Sequence, residues 1–459
     1  MRALLNTLAS LCLALTAGCA SSGAGYDLAR HTVRERSGLE VPADEGDAKL
    51  RAELLQKPLT ADSAARLALA NSPAVQKTLS SVGVARADLV RSLRLPNPEG
   101  HFAANFEDGG GVDLELEATI DIVQLALVPG RQAAASEALD AAALDAAGAL
   151  IEIACAARVA FYEYQAATQS LELRKTVAYA AAQSSAVAAR LLEAGNTPEL
   201  PALTEQVLYE EARIGVAQAE IAATVARERL NTVLGLAGLE AASWQAGARL
   251  PEPDDFDASN LEVRAISSSL ELQALNKRYG AASITSDLAW AAGALPGISG
   301  GVGVEREDDE WGVGPRVNVT VPLFYQGQGE AAAAEAHMTM AKSAHADGAI
   351  RTRSVARSLG TQLAGVRQSA VFYQKTLLPL RQKIVDETLR QYNAMNTGPL
   401  QLLQAKRDQV EAARTYVDLL RDYWVIRAQI EMLLAGRAPN TPASLTPRAE
   451  VESSGGAGH

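Results

Sequence analysis

The chain has 459 residues, of which 48% are hydrophobic, 21% charged and 5% aromatic, and its formal net charge is −12. Alanine is abundant, which favours long helices and argues against collagen, low-complexity disorder and a bundle of membrane-spanning helices. The acidic balance disfavours nucleic-acid binding, because that activity needs a basic face.

Residues 1–18 are typical of a secretory signal peptide. An apolar stretch from Ala3 to Leu15 follows a basic start and precedes a cleavage site before Cys19. The stretch is shorter than the ~20 residues that cross a bilayer as a helix. A cysteine here resembles the lipid-attachment site of bacterial lipoproteins, although Thr16 stands where leucine is usual. The residue after it is Ala20, and the resemblance to lipoproteins without aspartate at that place implies the outer membrane. We expect lipid, such as palmitate, on Cys19; plain secretion is the alternative.

An internal repeat with a constant shift of 200 residues organises the rest of the chain. Leu95-Pro96 recurs as Leu295-Pro296. Later matches pair Arg190, Asn196, Thr197, Leu203, Glu211, Arg227 and Leu234 with Arg390, Asn396, Thr397, Leu403, Glu411, Arg427 and Leu434. Alanine bias does not produce such pairs at one offset, so the sequence predicts two units of one plan.

Each unit reads as helix, two strands, long helix, turn and long helix. Thr60 is a candidate N-cap for the first helix, and Pro96 ends that helical region. The predicted segments are an N-terminal extension 19–57, repeat one 58–236 (hairpin 99–125, helices 131–194 and 199–235), a linker 237–257, repeat two 258–436 (hairpin 297–325, helices 328–394 and 399–435) and a disordered tail 437–459. We also expect residues 21–57 to be weakly structured and to lie outside the helices.

The hairpins alternate with period two. One face is apolar, and the other is acidic in the first hairpin, with Asp113, Glu115, Glu117 and Asp121, and carries Glu305 in the second. A sheet packed on a soluble core gives the same alternation. Strands of about ten residues also suit a tilted membrane crossing. Because four strands cannot close a barrel alone, a membrane location requires oligomerisation, and a trimer supplies twelve strands.

The second long helix of each unit has an apolar residue every seventh position, which is the spacing of a coiled-coil seam. The seams are Leu200, Val207, Ile214 and Ile221 in unit one and Leu403, Val410, Val417 and Trp424 in unit two. An antiparallel coiled-coil spacer has the same periodicity, so this pattern alone does not decide between a spacer and a ring of helices.

The lipoprotein-like start, the duplicated plan and the turn-helix segments 194–235 and 394–436 together resemble the outer-membrane efflux protein family of TolC and its lipoprotein relatives. The resemblance covers about residues 59–436. It implies a mainly α protein with a β-barrel portion: a homotrimer with a 12-stranded barrel in the outer membrane and a 12-helix coiled-coil tunnel in the periplasm. It also implies two partners, a periplasmic membrane-fusion adaptor and an inner-membrane transporter of the resistance-nodulation-division type.

The resemblance further implies site residues. Members carry acidic residues at a periplasmic constriction before the second turn, and Asp386, nine residues before Met395, falls at that place with Glu387 beside it. Arg390 and Tyr392 are candidates for the ties that keep this gate shut. The adaptor-contacting tips are Gly195, Asn196, Thr197, Pro198, Met395, Asn396, Thr397, Gly398 and Pro399. Met395 in place of glycine and a proline in each turn depart from the family pattern. From their alternation, we expect the hairpin acids named above to face the lumen, where a trimer would triple them and favour cationic cargo; solubility alone is the alternative explanation of their charge.

Enzymatic motifs are missing from the sequence, which has no HExxH, GxSxG or phosphate-binding loop. His337 and His345 lie about 12 Å apart along a helix, too far for one ion, so no metal site or cofactor is expected. Removal of the signal peptide leaves Cys155 as the one unmodified thiol, within an apolar segment.

The sequence therefore predicts a passive outer-membrane channel of a tripartite efflux pump, not an enzyme, with drugs, metal cations or secreted proteins as open choices of cargo. The alternative is a lipid-anchored periplasmic coiled-coil structural or adaptor protein without a pore.

Overall fold

The computed structural model describes residues 24–42, 48–106, 112–247, 249–307 and 310–439. Its elements in chain order are α1 (Ala24–Ser37), α2 (Ala48–Gln56), α3 (Ala61–Asn71), α4 (Pro73–Ser92), β1 (Glu99–Phe106), β2 (Val112–Asp121), α5 (Ile122–Ala126), α6 (Val128–Glu193), α7 (Glu199–Leu234), α8 (Gly238–Ser243), α9 (Leu261–Ser268), α10 (Leu270–Ala294), β3 (Gly297–Glu307), β4 (Glu310–Thr320), α11 (Gln328–Phe372), a π-helical turn (Tyr373–Leu377), α12 (Leu378–Asn393) and α13 (Pro399–Leu434). The predicted signal peptide 1–18, Cys19 and residues 440–459 of the predicted tail lie outside the described residues.

The described chain is mainly helical with one small sheet, as the sequence predicts. The repeat is visible in the element boundaries. Helix α6 covers 128–193 and the run from α11 to α12 covers 328–393, while α7 and α13 cover 199–234 and 399–434. The two halves thus keep a shift of 200 residues at both ends of their long helices.

The helix ends follow local chemistry. Thr60 caps α3 in a reciprocal capping box with Ser63, which satisfies two of the amides that a helix N-terminus leaves free. Gly235 ends α7 with φ of 69°, a left-handed conformation that favours glycine. A Cβ at this glycine would lie 2.8 Å from the backbone oxygen of Asn71. The Asn71 side-chain amide donates to the carbonyls of Leu234 and Gly235, both at 2.9 Å, so the turn is fixed to the end of α3.

The prediction that residues 21–57 are weakly structured was wrong for the described part of this segment. It forms α1 and α2. Ala29 and Val33 of α1 are fully buried, and Ala29 packs with Val82 and Leu139. The charges and glycines obscured a helix whose stability comes from packing one small apolar face rather than from its own propensity.

Two compact units divide the chain. The described residues of the first unit are 24–36, 77–106, 112–149, 270–307 and 310–351, and they include the sheet. Within this unit, ion pairs tie α10 to α6: Lys277 Nζ lies 3.2 Å from Glu137 Oε1 and 3.0 Å from Asp140 Oδ2. These two carboxylates raise the pKa of Lys277.

The described residues of the second unit are 37–42, 48–76, 150–247, 249–269 and 352–439, and they form two large apolar clusters. Repeat-related arginines hold the linker in this unit. The guanidinium of Arg227 lies 4.1 Å from the ring centre of Trp244 and donates to the Trp244 carbonyl at 3.0 Å. The guanidinium of Arg427 lies 3.9 Å from the ring centre of Phe256. Both arginines match in the sequence repeat, and their shared task is to pack the linker against the helices.

The predicted continuous helix 328–394 differs from the structure in one respect. In the structure, this region contains a π-helical turn at Tyr373–Leu377, two residues before Pro379, and the helix ends at Asn393. Proline has no amide hydrogen and its ring crowds the preceding turn, so a wider turn accommodates it without ending the helix. The equivalent residue of α6 is Tyr179, and α6 is unbroken there.

Candidate functional site

The sheet has strand order β1-β2-β3-β4, with every neighbouring pair antiparallel. Residues directly opposite one another share a face, so the register shows which side chains lie together. Glu115 is opposite Ala103 on β1 and Glu305 on β3. One face therefore carries polar residues from all four strands: Glu99, His101, Asn105, Asp113, Glu115, Glu117, Thr119, Asp121, Ser299, Glu305, Arg316, Asn318 and Thr320. Arg306 is an exception, because it lies opposite Leu114 and Trp311 on the other face.

The opposite face is apolar and open. Phe102 is 67% exposed, and Trp311 and Val313 are 64% and 72% exposed. None of the described residues covers this face, which also carries Phe106, Leu116, Val302, Val317 and Val319. An exposed apolar patch of this size marks a contact with lipid or protein, because single soluble chains rarely leave one in water. The packed soluble core that the alternative interpretation requires is not present against this face in the described chain.

The polar face is a network rather than a row of separate acids. Arg316 Nη2 donates to Glu115 Oε1 at 3.2 Å and to Glu305 Oε2 at 2.9 Å. Asn318 Nδ2 donates to Glu117 Oε1 at 3.1 Å. The sequence identifies the acids, but not the donors that hold them, because those contacts cross two strands and depend on register.

Asp113 and Asp121 have different surroundings from these three acids. Asp113 lies opposite Asn105 near the end of β2. The side chain of Asp121 accepts a hydrogen bond from the Gln124 amide at 2.8 Å and caps α5. Asp121 therefore has a structural role as the N-cap of α5. Its position directly before a helix could have suggested this role from the sequence, because aspartate is a preferred N-cap residue.

The sheet has two open edges within the described chain, because β1 pairs only with β2 and β4 only with β3. Open edges leave backbone donors and acceptors available for another strand.

The two predicted tips, in the second unit, have the same backbone. Gly195 has φ of 71° and Met395 has φ of 60°. Each turn is closed by matching bonds: the Asn196 amide donates to Leu191 O at 2.8 Å, and the Asn396 amide to Gln391 O at 2.9 Å. Met395 thus takes a left-handed conformation without the freedom of glycine, and its side chain is 93% exposed. In the helices that follow, Pro198 is the N-cap of α7, whereas Gly398 is the N-cap of α13 and Pro399 its first residue.

The four predicted gate residues lie on α12, and no contact brings them into one cluster. Asp386 accepts from Gln382 Nε2 at 2.8 Å, one turn away. Glu387 pairs with Arg390 at 3.2 Å. Tyr392 lines a cavity of about 440 Å³ between α6, α12 and α13, together with Ser184 and Lys406. Asp386 is exposed in the single chain.

Ties between α12 and α13 come from residues that the sequence does not single out. Arg381 Nη1 on α12 lies 3.0 Å from Asp408 Oδ2 on α13, and Gln404 Nε2, also on α13, holds the other oxygen of Asp408 at 2.9 Å. Gln409 donates to Gln382, the residue that also holds Asp386. A spacing of 27 residues across a turn carries no local signal, which is why these pairs become visible only in the structure.

The two predicted seams differ in burial. Leu403, Val410 and Val417 on α13 are between 4% and 7% exposed. The seam of α7 is open: Leu200, Val207, Ile214 and Ile221 are 74%, 56%, 60% and 65% exposed. The second seam has its partner within the chain, whereas the first has none among the described residues.

Within the described ranges, none of the helices has an apolar stretch long enough to cross a membrane. The same residues contain no group of three or more His, Cys, Asp or Glu side chains placed to hold a metal ion.

Comparisons with known proteins agree on the fold. No protein-family profile and no curated protein matches the chain. Among solved structures, a membrane protein from Pseudomonas aeruginosa has a TM-score of 0.71 at 18% identity, covering 87% of this chain and 95% of that one. The CmeC outer membrane channel of Campylobacter jejuni has a TM-score of 0.69 at 13% identity, covering 83% and 87%. The outer membrane protein VceC of Vibrio cholerae has a TM-score of 0.69 at 13% identity, covering 85% and 97%. The predicted resemblance is thereby confirmed as to fold: this chain has the fold of outer-membrane channel proteins.

Proposed function

We propose that this protein is the outer-membrane channel of a tripartite efflux system. It would conduct cargo passively from an inner-membrane transporter and a periplasmic adaptor to the outside, with no catalytic step of its own. One observation carries the proposal: a sheet with an exposed apolar face, an acidic polar face and two open edges. Such a sheet is suited to become part of a membrane barrel once its edges are paired, with the apolar face toward lipid and the acids toward water.

Three copies of the chain are the proposed assembly. A trimer pairs β1 of one copy with β4 of the next, giving twelve strands without an edge. The open seam of α7 supports the same assembly, because an apolar stripe at heptad spacing gains stability only against another helix. Residues of both repeats would then form a 12-helix periplasmic tunnel.

The cargo class follows from charge. Carboxylates of Asp113, Glu115, Glu117 and Glu305 would be tripled in a trimer and would favour cations over anions in the lumen. Drugs and metal cations both fit this preference. At the other end, Asp386 and Glu387 would form the constriction, with Arg390 and Tyr392 as supporting residues.

The tips are the proposed contact with a periplasmic adaptor. Met395 supports this assignment, because an exposed side chain on a left-handed backbone stabilises neither the turn nor a core. Functional contact with a partner accounts for both features. Within the tips, residues 195–198 and 395–399 present polar Asn-Thr pairs beside the helix ends. A transporter of the resistance-nodulation-division type is the proposed inner-membrane partner.

Planar-bilayer recordings test the channel and the gate together. Purified mature protein is expected to give small cation-selective current steps. Asp386→Asn should enlarge these steps, while Glu172→Gln, which removes an exposed carboxylate paired with Lys175 on α6, should leave them unchanged. If Asp386→Asn leaves the steps unchanged, the channel stands and this gate is discarded. If folded trimers pass no current, the structural or adaptor protein without a pore becomes the better interpretation.

The location of the apolar face separates these two functions directly. Trp311 on this face is exposed, whereas Trp244 is 2% exposed in the second unit. In vesicles of bromine-labelled lipid, a membrane sheet predicts fluorescence quenching that is lost in Trp311→Phe. A Trp244→Phe control should keep the quenching, and a periplasmic sheet should show none in either protein.

The lipid anchor at Cys19 has its own test. Cells supplied with labelled palmitate should transfer label to the wild-type protein and not to Cys19→Ser. Label on Cys155→Ser should remain, because Cys155 is 7% exposed. Equal labelling of all three proteins would place the lipid elsewhere.

A further inference from the structure

The polar face of the sheet contains one strong cation. In the described strands, Arg316 is the only Lys or Arg that the register places on this face. Its side chain is 36% exposed, and those of Glu115 and Glu305 are 39% and 57% exposed. All three are reached by solvent, so their charges act on ions that pass nearby.

Arg316 offsets the repulsion between two carboxylates. Glu115 and Glu305 are directly opposite each other on β2 and β3. Like charges in such a pair are destabilising. The Nη2 atom of Arg316 lies 3.2 Å from one carboxylate and 2.9 Å from the other, so one guanidinium bridges both. The bridge joins three strands, because Arg316 itself belongs to β4.

Two glycines make this reach possible. Arg316 is opposite Gly301, and Gly303 lies next to Gly301 on the same face of β3. A Cβ on Gly303 would lie 2.9 Å from Arg316 Cγ and closer still to its Nε. The bare backbone of β3 leaves a shallow path along which the arginine extends from β4 to β2. A side chain at Gly303 would block this path.

We propose that Arg316 is a selectivity-determining residue of the pore, the counter-ion that offsets part of its acidic lining. This inference rests on the proposed channel function. Each protomer places one positive charge between two negative ones, which lowers the preference for cations that the acids alone would give. Anionic or zwitterionic groups on a mainly cationic cargo then meet less repulsion at this level of the lumen.

The test is the reversal potential of the reconstituted channel under a potassium chloride gradient. Arg316→Gln should raise the potassium-to-chloride permeability ratio about twofold, for three charges ~10 Å from the axis in screened solvent. Arg316→Lys is the matched control and should stay near wild type, because it keeps the charge. The double variant Arg316→Gln/Glu115→Gln removes one charge of each sign and should also return toward the wild-type ratio.

A second variant separates charge from folding. Arg316→Cys can be modified in the assembled channel with a positively charged or a neutral methanethiosulfonate reagent. The positive adduct should restore the wild-type ratio and the neutral adduct should not. Cys155 is buried, and wild-type protein treated in the same way measures any background.

The outcomes distinguish the two levels of the proposal. Currents in every variant with one common permeability ratio would overturn the role of Arg316 and leave the channel intact. A ratio that changes in Arg316→Lys as much as in Arg316→Gln would also overturn it, since geometry rather than charge would then matter. Absence of current from wild-type trimers would overturn the channel function and, with it, this inference.

Discussion

The open seam of α7 leads to a prediction about assembly. Replacing Ile214 and Ile221 by alanine should weaken the proposed trimer while leaving the fold of the single chain intact. These side chains are 60% and 65% exposed, so the chain itself gains little from them. Alanine also keeps the helix, since its helix propensity is the highest of all residues.

The magnitude follows from the exposed area. Fully burying an isoleucine is worth about 1.5–3 kcal/mol, and more than half of each side chain remains to be buried, which gives about 1 kcal/mol per residue after truncation to alanine. A trimer contains six such side chains, so the loss is about 6 kcal/mol. At 1.4 kcal/mol for each factor of ten, the association constant should fall about 10⁴-fold.

Sedimentation velocity of a dilution series in detergent measures this effect, and circular dichroism reports the fold. The matched control is Val410→Ala/Val417→Ala on α13, where both residues are 7% exposed. There the loss should appear in the unfolding of the chain, at about 1–3 kcal/mol per site. If the α7 variant dissociates at the wild-type concentration, or unfolds as the α13 variant does, the seam of α7 is not a contact between copies.

Three further predictions concern single sites. Met395→Gly should slow hydrogen exchange at its tip, because glycine removes about 1 kcal/mol of left-handed strain; faster exchange would show that the methionine stabilises the turn. Burial raises the pKa of the Cys155 thiol to about 12. The unfolded thiol ionises near pH 9, so stability should be constant below that pH and fall between about pH 9 and 12 in wild type but not in Cys155→Ala. Asn231→Leu leaves the Trp244 indole, which donates to Asn231 Oδ1 at 2.7 Å, without its acceptor; urea unfolding should show a loss of about 1–3 kcal/mol, and Trp244→Phe in the same background should recover part of it.

The elements of the fold that could be predicted are those whose own sequence carries a periodic pattern. Period-two alternation in 112–121 and 297–304 gives the strands, and the heptads of 200–221 and 403–424 give the helices, because both periods are properties of one element. The 200-residue repeat supports these strand and helix assignments independently, because each pattern occurs in both halves of the chain. The helix α1 lacked such a signal, since its few apolar residues become informative only when a partner face is known.

The contacts that define the site could not be predicted in the same way. Glu115 and Glu305 are visible as acids in the sequence, but their opposition depends on the register of β2 against β3. The bridging role of Arg316 depends further on Gly303, which lies on the strand next to that of Glu115 but far from it in the sequence. A pattern along one strand states which face a residue takes, and not which residue lies opposite.

The burial of the two heptad seams, on α7 and α13, also could not be predicted from the sequence. A heptad pattern predicts that a helix packs against another helix, but it does not say whether that partner belongs to the same chain or to another copy. The two repeats carry different residue types at matching positions of these helices. Val207, Ile214 and Ile221 of α7 correspond by the 200-residue shift to Arg407, Arg414 and Arg421 of α13. All three arginines pair with carboxylates, for example Arg421 with Asp418 at 3.0 Å.

The two helices therefore differ on one matching face. In α13 the face holds ion pairs and the burial has moved to Leu403, Val410 and Val417, a different stripe that packs within the chain. In α7 the face stays apolar and open. A chain whose two repeats both buried their seams internally would have no reason to associate through these helices. A chain with two open seams would expose twice the apolar area before assembly. With one closed and one open, the α13 seam stabilises the single chain, while the α7 seam stays available for the proposed contact with a second copy.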